Sequence, residues 1–279
     1  MTISAPPCRL YVLVATAAPA ALIMRRGPSG WWHLLEWDLR AREVSSGAWL
    51  RGTLYPRRCD LSPDGKLLGY FALGHGQHPW DTYFAVSKTP WLTALVAWHA
   101  SGTWTGGCEF AADNSLKISA SIDEQPFHGR YPYSATVEDL TLDWTYRDLQ
   151  NEYKRGWRPL EGRTERLPPA LREAVLIGRV QPGGERALVL AHTGTDFQGH
   201  GIEGVQVSYL REEDDGNLTP LPEAAWADWD SEGRLLMATR EGSVKIVERR
   251  SGTWAETWSH DLRDLTPAPT PPPSWARAW

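Results

Sequence analysis

The sequence predicts an all-β fold, a β-propeller of about five four-stranded blades, with four or six as the alternatives. Three observations lead there. A hairpin centred on a tight turn recurs along the chain, short apolar runs are divided throughout by Gly, Pro and Ser, and the end of the chain reads as one complete four-stranded meander.

The hairpin is Cys59-Asp60-Leu61-Ser62-Pro63-Asp64-Gly65-Lys66-Leu67-Leu68-Gly69-Tyr70-Phe71-Ala72. Pro63 presets φ, Asp64 can accept a bond from the backbone ahead of it, and Gly65 tolerates positive φ, so Ser-Pro-Asp-Gly is turn chemistry between two buried strands. A related stretch is Trp226–Ala238, turned at Ser231-Glu232-Gly233, and a weaker copy is Phe110–Ser119, turned at Asp113. Asp64 and Asp113 are 49 residues apart (113 − 64), which is blade spacing.

Taken in order, Leu10–Thr16 and Ala20–Arg26 read as two strands turned at Ala-Ala-Pro. This apolar stretch imitates a signal segment, but it is too short for a membrane span and lacks a basic cluster before it. Trp31–Asp38 is a strand, and another begins at Ala48-Trp49-Leu50. After the hairpin come Thr82–Ser87 and Trp91–Trp98, split by Lys88-Thr89-Pro90, then a turn at Ser101-Gly102-Thr103-Trp104 and a strand over Thr105–Phe110. Val137–Trp144 reads as one strand, and about 146–172 as an irregular insert of mixed charge, with a short helix opening at Pro168-Pro169. Ala174–Val180 and Arg186–Thr193 flank the turn signal Gln181-Pro182-Gly183-Gly184, and Gly204–Leu210 is a further strand. Ala225–Asp230, Arg234–Thr239, Ser243–Arg249 and Thr253–His260 then follow through short turns.

These last four strands resemble a blade of the WD-repeat and related propeller families, through Trp226, Asp228, Gly233, Leu235, Leu236, Gly242, Val244, Ile246 and Gly252. The chain departs from that pattern where Ile246-Val247-Glu248 stands in place of the WD dipeptide, and the Gly-His signature is missing. The resemblance implies architecture and is nearly silent about activity. The expected organisation is one propeller-like domain over residues 1–265, followed by a Pro-rich and disordered tail over 266–279.

Composition narrows the function classes. With 42% hydrophobic residues among 279, a sizeable core is available. A net charge of −5 gives no global case for nucleic acid. Trp144, Tyr146, Tyr153 and Trp157 do interleave with Arg147, Lys154, Arg155 and Arg158, but Asp143, Asp148 and Glu152 offset that charge. Three widely spaced cysteines, Cys8, Cys59 and Cys108, form no disulfide framework and fit a reducing compartment, which places the protein in the cytoplasm, with secretion or the periplasm as the alternative. Sixteen Trp suit a sheet-rich core.

Two loops carry side chains suited to chemistry. Gly74–Asp81 holds His75, His78 and Asp81, and His192–Glu203 holds His192, Asp196, His200 and Glu203. The histidines are candidate ligand- or metal-binding groups. Asp81, Asp196 and Glu203 are the candidate carboxylates of a carbohydrate-active hydrolase, whose chemistry needs a pair at defined separation. Asp60 and Asp228, each before a hairpin turn, read as structural carboxylates that accept backbone N–H bonds. Trp275 and Trp279 are candidate anchors of a docking peptide. No cofactor is implied. The expected function is a non-catalytic scaffold that binds another protein, with a hydrolase or a small-ligand or metal-binding propeller as the rival readings.

Overall fold

The computed structural model describes residues 8–27, 30–74, 76, 78–138, 149–160, 167–196 and 202–279. It is an all-β protein whose described strands form four mainly antiparallel sheets. They divide between two compact units, one of Met1–Tyr11 with Glu152–Leu265, the other of Val12–Asn151 with Thr266–Trp279.

In the Val12–Asn151 unit, a four-stranded meander runs in the order β1 (Arg9–Val14), β2 (Ala20–Gly27), β3 (Trp31–Asp38), β4 (Glu43–Arg51), and the division between units falls inside β1. Leu22, Ile23, Met24 and Arg25 are consecutive buried residues of β2, so this strand is covered on both faces and shows no alternation. The second sheet has eight strands: β5 (Thr53–Leu54), β6 (Asp60–Leu61), β7 (Leu67–Leu73), β8 (Thr82–Lys88), β9 (Val96–Phe110), β10 (Leu116–Ile122), β11 (His128–Gly129) and β12 (Ala135–Glu138).

Strand β9 is the hinge of that sheet. Val96–His99 pair with β8, whereas Ala100 and Thr105–Phe110 pair with β10. Between Ala100 and Thr105 the register slips against Ala120–Ile122, so Ser101–Trp104 bulge out of the ladder. The expected turn at this place is therefore a bulge inside one long strand. Phe71, Phe84, Val86, Val96, Trp98, Cys108 and Ile118 form the core here. Each such side chain contributes about 1.5–3 kcal/mol on leaving water.

The Ser-Pro-Asp-Gly turn forms as its residues dictate. Ser62 Oγ donates to Asp64 Oδ1 at 2.6 Å, Gly65 N donates to Ser62 O at 2.8 Å, and Gly65 takes φ +76°. Residues Thr266–Trp279 cluster with the same unit. Lys88 Nζ donates to Trp275 O at 3.1 Å, Ala276 is fully buried, and the Trp279 ring lies edge-on to Tyr131 at 5.5 Å.

The other unit holds α1 (Gln150–Lys154) at its border and two sheets. One is five-stranded, in the order β13 (Arg158–Pro159), β14 (Val175–Val180), β15 (Ala187–Thr195), β16 (Val205–Glu212), β17 (Leu218–Pro220). The other is the four-stranded meander expected from the end of the sequence: β18 (Ala224–Trp229), β19 (Leu235–Thr239), β20 (Ser243–Arg250), β21 (Thr253–Asp261). The mixed-charge stretch before them supplies apolar anchors, since Trp157 and Leu167 are buried. Its Pro169–Leu171 segment makes one 3-10 turn rather than a helix. Of the strand expected over Val137–Trp144, Val137 and Glu138 lie in β12, and residues 139–144 are outside the described residues.

Candidate metal centre

His78, Asp81 and His99 meet at one end of the β8–β9 hairpin, with one ligand atom from each lying within 4.8 Å of the others. Loop and strand position them differently. The loop is closed where Gly74 N donates to Asp81 O at 2.9 Å, just before β8 begins. Gly74 is required at the closure, because a Cβ there would meet Trp80 O at 2.5 Å. His99 comes from β9, opposite Tyr83 of β8, so its ring stands on the same sheet face as Tyr83. The His78 and His99 rings pack edge to face at 4.4 Å.

The geometry around Asp81 is unusual for a surface carboxylate. Its side chain is 45% exposed, yet Oδ1 is shielded from solvent and accepts no hydrogen bond. Two imidazole nitrogens face it from outside good hydrogen-bonding range, His99 Nε2 at 3.5 Å and His78 Nδ1 at 3.7 Å. A shielded acceptor without a donor is costly in a native structure. Two ligand atoms each about 2.1 Å from an ion in tetrahedral geometry stand about 3.4 Å apart, close to the two distances from Asp81 Oδ1 to the imidazole nitrogens. Two neutral imidazoles and one carboxylate sum to −1, and a divalent ion leaves the centre at +1.

An aromatic floor adjoins the loop. Trp80 lies edge-on to Phe127 at 4.8 Å and to Tyr83 at 5.1 Å, and is tilted against His128 at 5.4 Å. Burial pushes the Tyr83 phenol above its usual pKa, against a smaller opposing effect of its hydrogen bond with Tyr70. His128 is held by a contact of 3.1 Å between Nε2 and Ala94 O.

Of the residues singled out from sequence, His78 and Asp81 come together, while His75 and His200 lie outside the described residues. His192 is on β15, Asp196 is exposed at its end, and Glu203 is left-handed, at φ +56°, in a kinked turn over Ile202–Gly204. Asp196 N donates to Gly204 O at 2.8 Å, which closes that loop. These three belong to the Glu152–Leu265 unit and Asp81 to the other. Trp275 and Trp279 are 53% and 43% exposed. Asp60 and Asp228 accept backbone bonds, from Phe110 N at 2.9 Å and Trp229 N at 2.8 Å. Asp228 also pairs with Arg179 at 2.5 Å, while its burial raises the carboxyl pKa.

His99 escaped the sequence reading. A tight Lys88-Thr89-Pro90 turn would pair Ser87 with Trp91, but the connection runs to Leu95, and Val86 pairs with Val96. That longer loop shifts the register and brings His99 opposite Tyr83, two residues from Asp81. No known family's sequence profile matches the chain, and no curated protein is recognisably similar to it in sequence. Among solved structures it is similar to a chain of Kuenenia stuttgartiensis hydrazine synthase, at 10% identity, with a TM-score of 0.33, over 89% of this chain and 78% of that one. A likeness this loose carries no argument about activity.

Proposed function

We propose that this protein binds a divalent first-row transition metal through His78, Asp81 and His99, on a β-propeller-like framework. The observation that carries the reading is the shielded Asp81 Oδ1, without a hydrogen bond and facing two imidazole nitrogens at 3.5 and 3.7 Å. Two imidazoles with one carboxylate form a donor set that suits Zn²⁺, Co²⁺ or Fe²⁺ better than Mg²⁺ or Ca²⁺. Three protein ligands leave at least one position open. His78, with 73% of its side chain exposed, puts that opening at the surface. The framework reading is supported by the four-stranded antiparallel meanders and by the recurring hairpin turns.

The test is metal titration of the purified chain after chelator treatment, followed by calorimetry with Zn²⁺ and by the visible bands of Co²⁺. One equivalent is expected to bind. Asp81→Asn and His99→Ala are each expected to weaken binding by more than about 100-fold, beyond the effect of losing a supporting hydrogen bond. Equal affinity in Asp81→Asn would exclude the site.

A second reading, the protein-binding scaffold, has one observation in its favour. Tyr133 and Trp279 are both about half exposed, and both pack on Tyr131 to form an aromatic rim. Crosslinking in cells should then lose a defined adduct when Tyr133 and Trp279 are replaced by Ser, and an unchanged adduct pattern would count against it.

A further inference from the structure

We infer that the centre takes a small ring compound bearing a chelating pair of oxygens, the ring lying on Trp80 and the oxygens on the metal. This rests on the metal-binding reading above and names the ligand class for it.

Three observations carry the inference. Trp80 lies between His78 and Asp81 in sequence, beside the hydrogen bond from Gly74 N to Asp81 O. The residue is exposed, yet its ring is packed. Phe127 and Tyr83 meet it edge-on and His128 at a tilt, so three rings hold its orientation. Tyr83, which Trp80 touches, is also the cross-strand neighbour of His99, so platform and centre share one face of the β8–β9 hairpin. Trp80 is 37% exposed as a residue while its ring is packed against three others, so a ligand ring stacking on its free surface would cost little side-chain entropy. Charge points to the donor. A divalent ion on two imidazoles and one carboxylate retains a charge of +1, which an anionic oxygen chelate neutralises. The oxygens displace water from the ion, a ligand that arrives protonated gives up its acidic O–H proton to solvent, and no other bond of the ligand breaks.

The experiment compares benzohydroxamate with acetohydroxamate on the Co²⁺-loaded full-length protein, read by the shift of the Co²⁺ visible bands and corrected for their affinities for free Co²⁺. The expected result is a preference of about five- to tenfold for the ring compound in the wild type, falling to about one in Trp80→Ala and Trp80→Leu and partly restored in Trp80→Phe. A wild-type preference near one, with the bands present, would remove the ring platform and leave the metal reading standing. A preference that survives in both Trp80→Ala and Trp80→Leu would do the same. Loss of the bands in all three Trp80 variants would show that Trp80 only supports the loop, and would overturn the inference. Absence of the bands in the wild type would overturn both readings.

Discussion

His33 shows how one buried side chain sets a pH dependence for the fold. Its ring is 1% exposed, stacks on Trp49 at 3.9 Å, and its Nε2 meets Ser46 Oγ at 2.7 Å. Burial first, and the Arg25 charge second, lower its pKa to about 4. An unfolded histidine titrates near 6.5, so between about pH 6.5 and pH 4 the unfolded chain binds the extra proton and the folded chain does not. The associated stability is fully present above pH 6.5 and is lost as pH falls toward 4. The two values imply a loss of about 3 kcal/mol at the acid end of that window. Urea unfolding at pH 7, 5.5 and 4.5 measures the slope. His33→Gln, which keeps a polar partner for Ser46, should flatten it, and an equally steep slope in that variant would assign the effect to other groups. None of this is visible from Trp-Trp-His-Leu-Leu alone, because the β3–β4 pairing that brings Trp49 opposite His33 is a long-range event.

At the scale of elements, local chemistry was readable and register was not. The turns at Ser62–Gly65, Gln181–Gly184 and Asp230–Gly233 form where their residues placed them. In the last, Asp230 Oδ1 accepts from Glu232 N and Arg234 N at 3.0 and 2.9 Å. Ser101–Trp104 carries the same kind of signal, yet it became a bulge, because β10 continues the pairing on its far side. His78 and Asp81 were legible as a polar loop, whereas finding His99 required the length of the Thr89–Leu95 connection, which no residue type announces. The Pro-rich ending was expected as a disordered tail, and composition does not say what it touches. Here Lys88 holds the Trp275 carbonyl, Ala276 is buried, and Trp279 meets Tyr131. Removing residues 274–279 should therefore cost about 1–3 kcal/mol, the burial of one or two side chains, and lower the thermal midpoint by about 2–10 °C. An unchanged midpoint would mean that the tail adds nothing to the fold. No helix among the described residues is long and apolar enough to cross a membrane, and the strands carry the structure.

For the molecule as a whole, the proposed ion ties separate parts of the β8–β9 hairpin together, so its binding must register as stability. A ligand that binds the native state alone stabilises it by about 2.7 kcal/mol when its free concentration is 100 times its dissociation constant. The three ligands are spread over residues 78–99, and an unfolded chain holds them too far apart on average to recover much of that energy. All three belong to the Val12–Asn151 unit, so that unit's transition is the one expected to move. For a unit of this size, 2.7 kcal/mol corresponds to about 5–10 °C. Differential scanning calorimetry with Zn²⁺ should show this rise, and excess chelator should reverse it. Asp81→Asn should show none of it, since the variant removes the carboxylate charge but keeps the side-chain size. Mg²⁺ should also be silent, because it favours oxygen donors and keeps its waters. An equal rise in Asp81→Asn, or with Mg²⁺, would mean that the ion acts elsewhere on the surface. The same carboxylate gives this prediction its sharpness: its shielded oxygen has no hydrogen bond, and the proposed ion would be its partner.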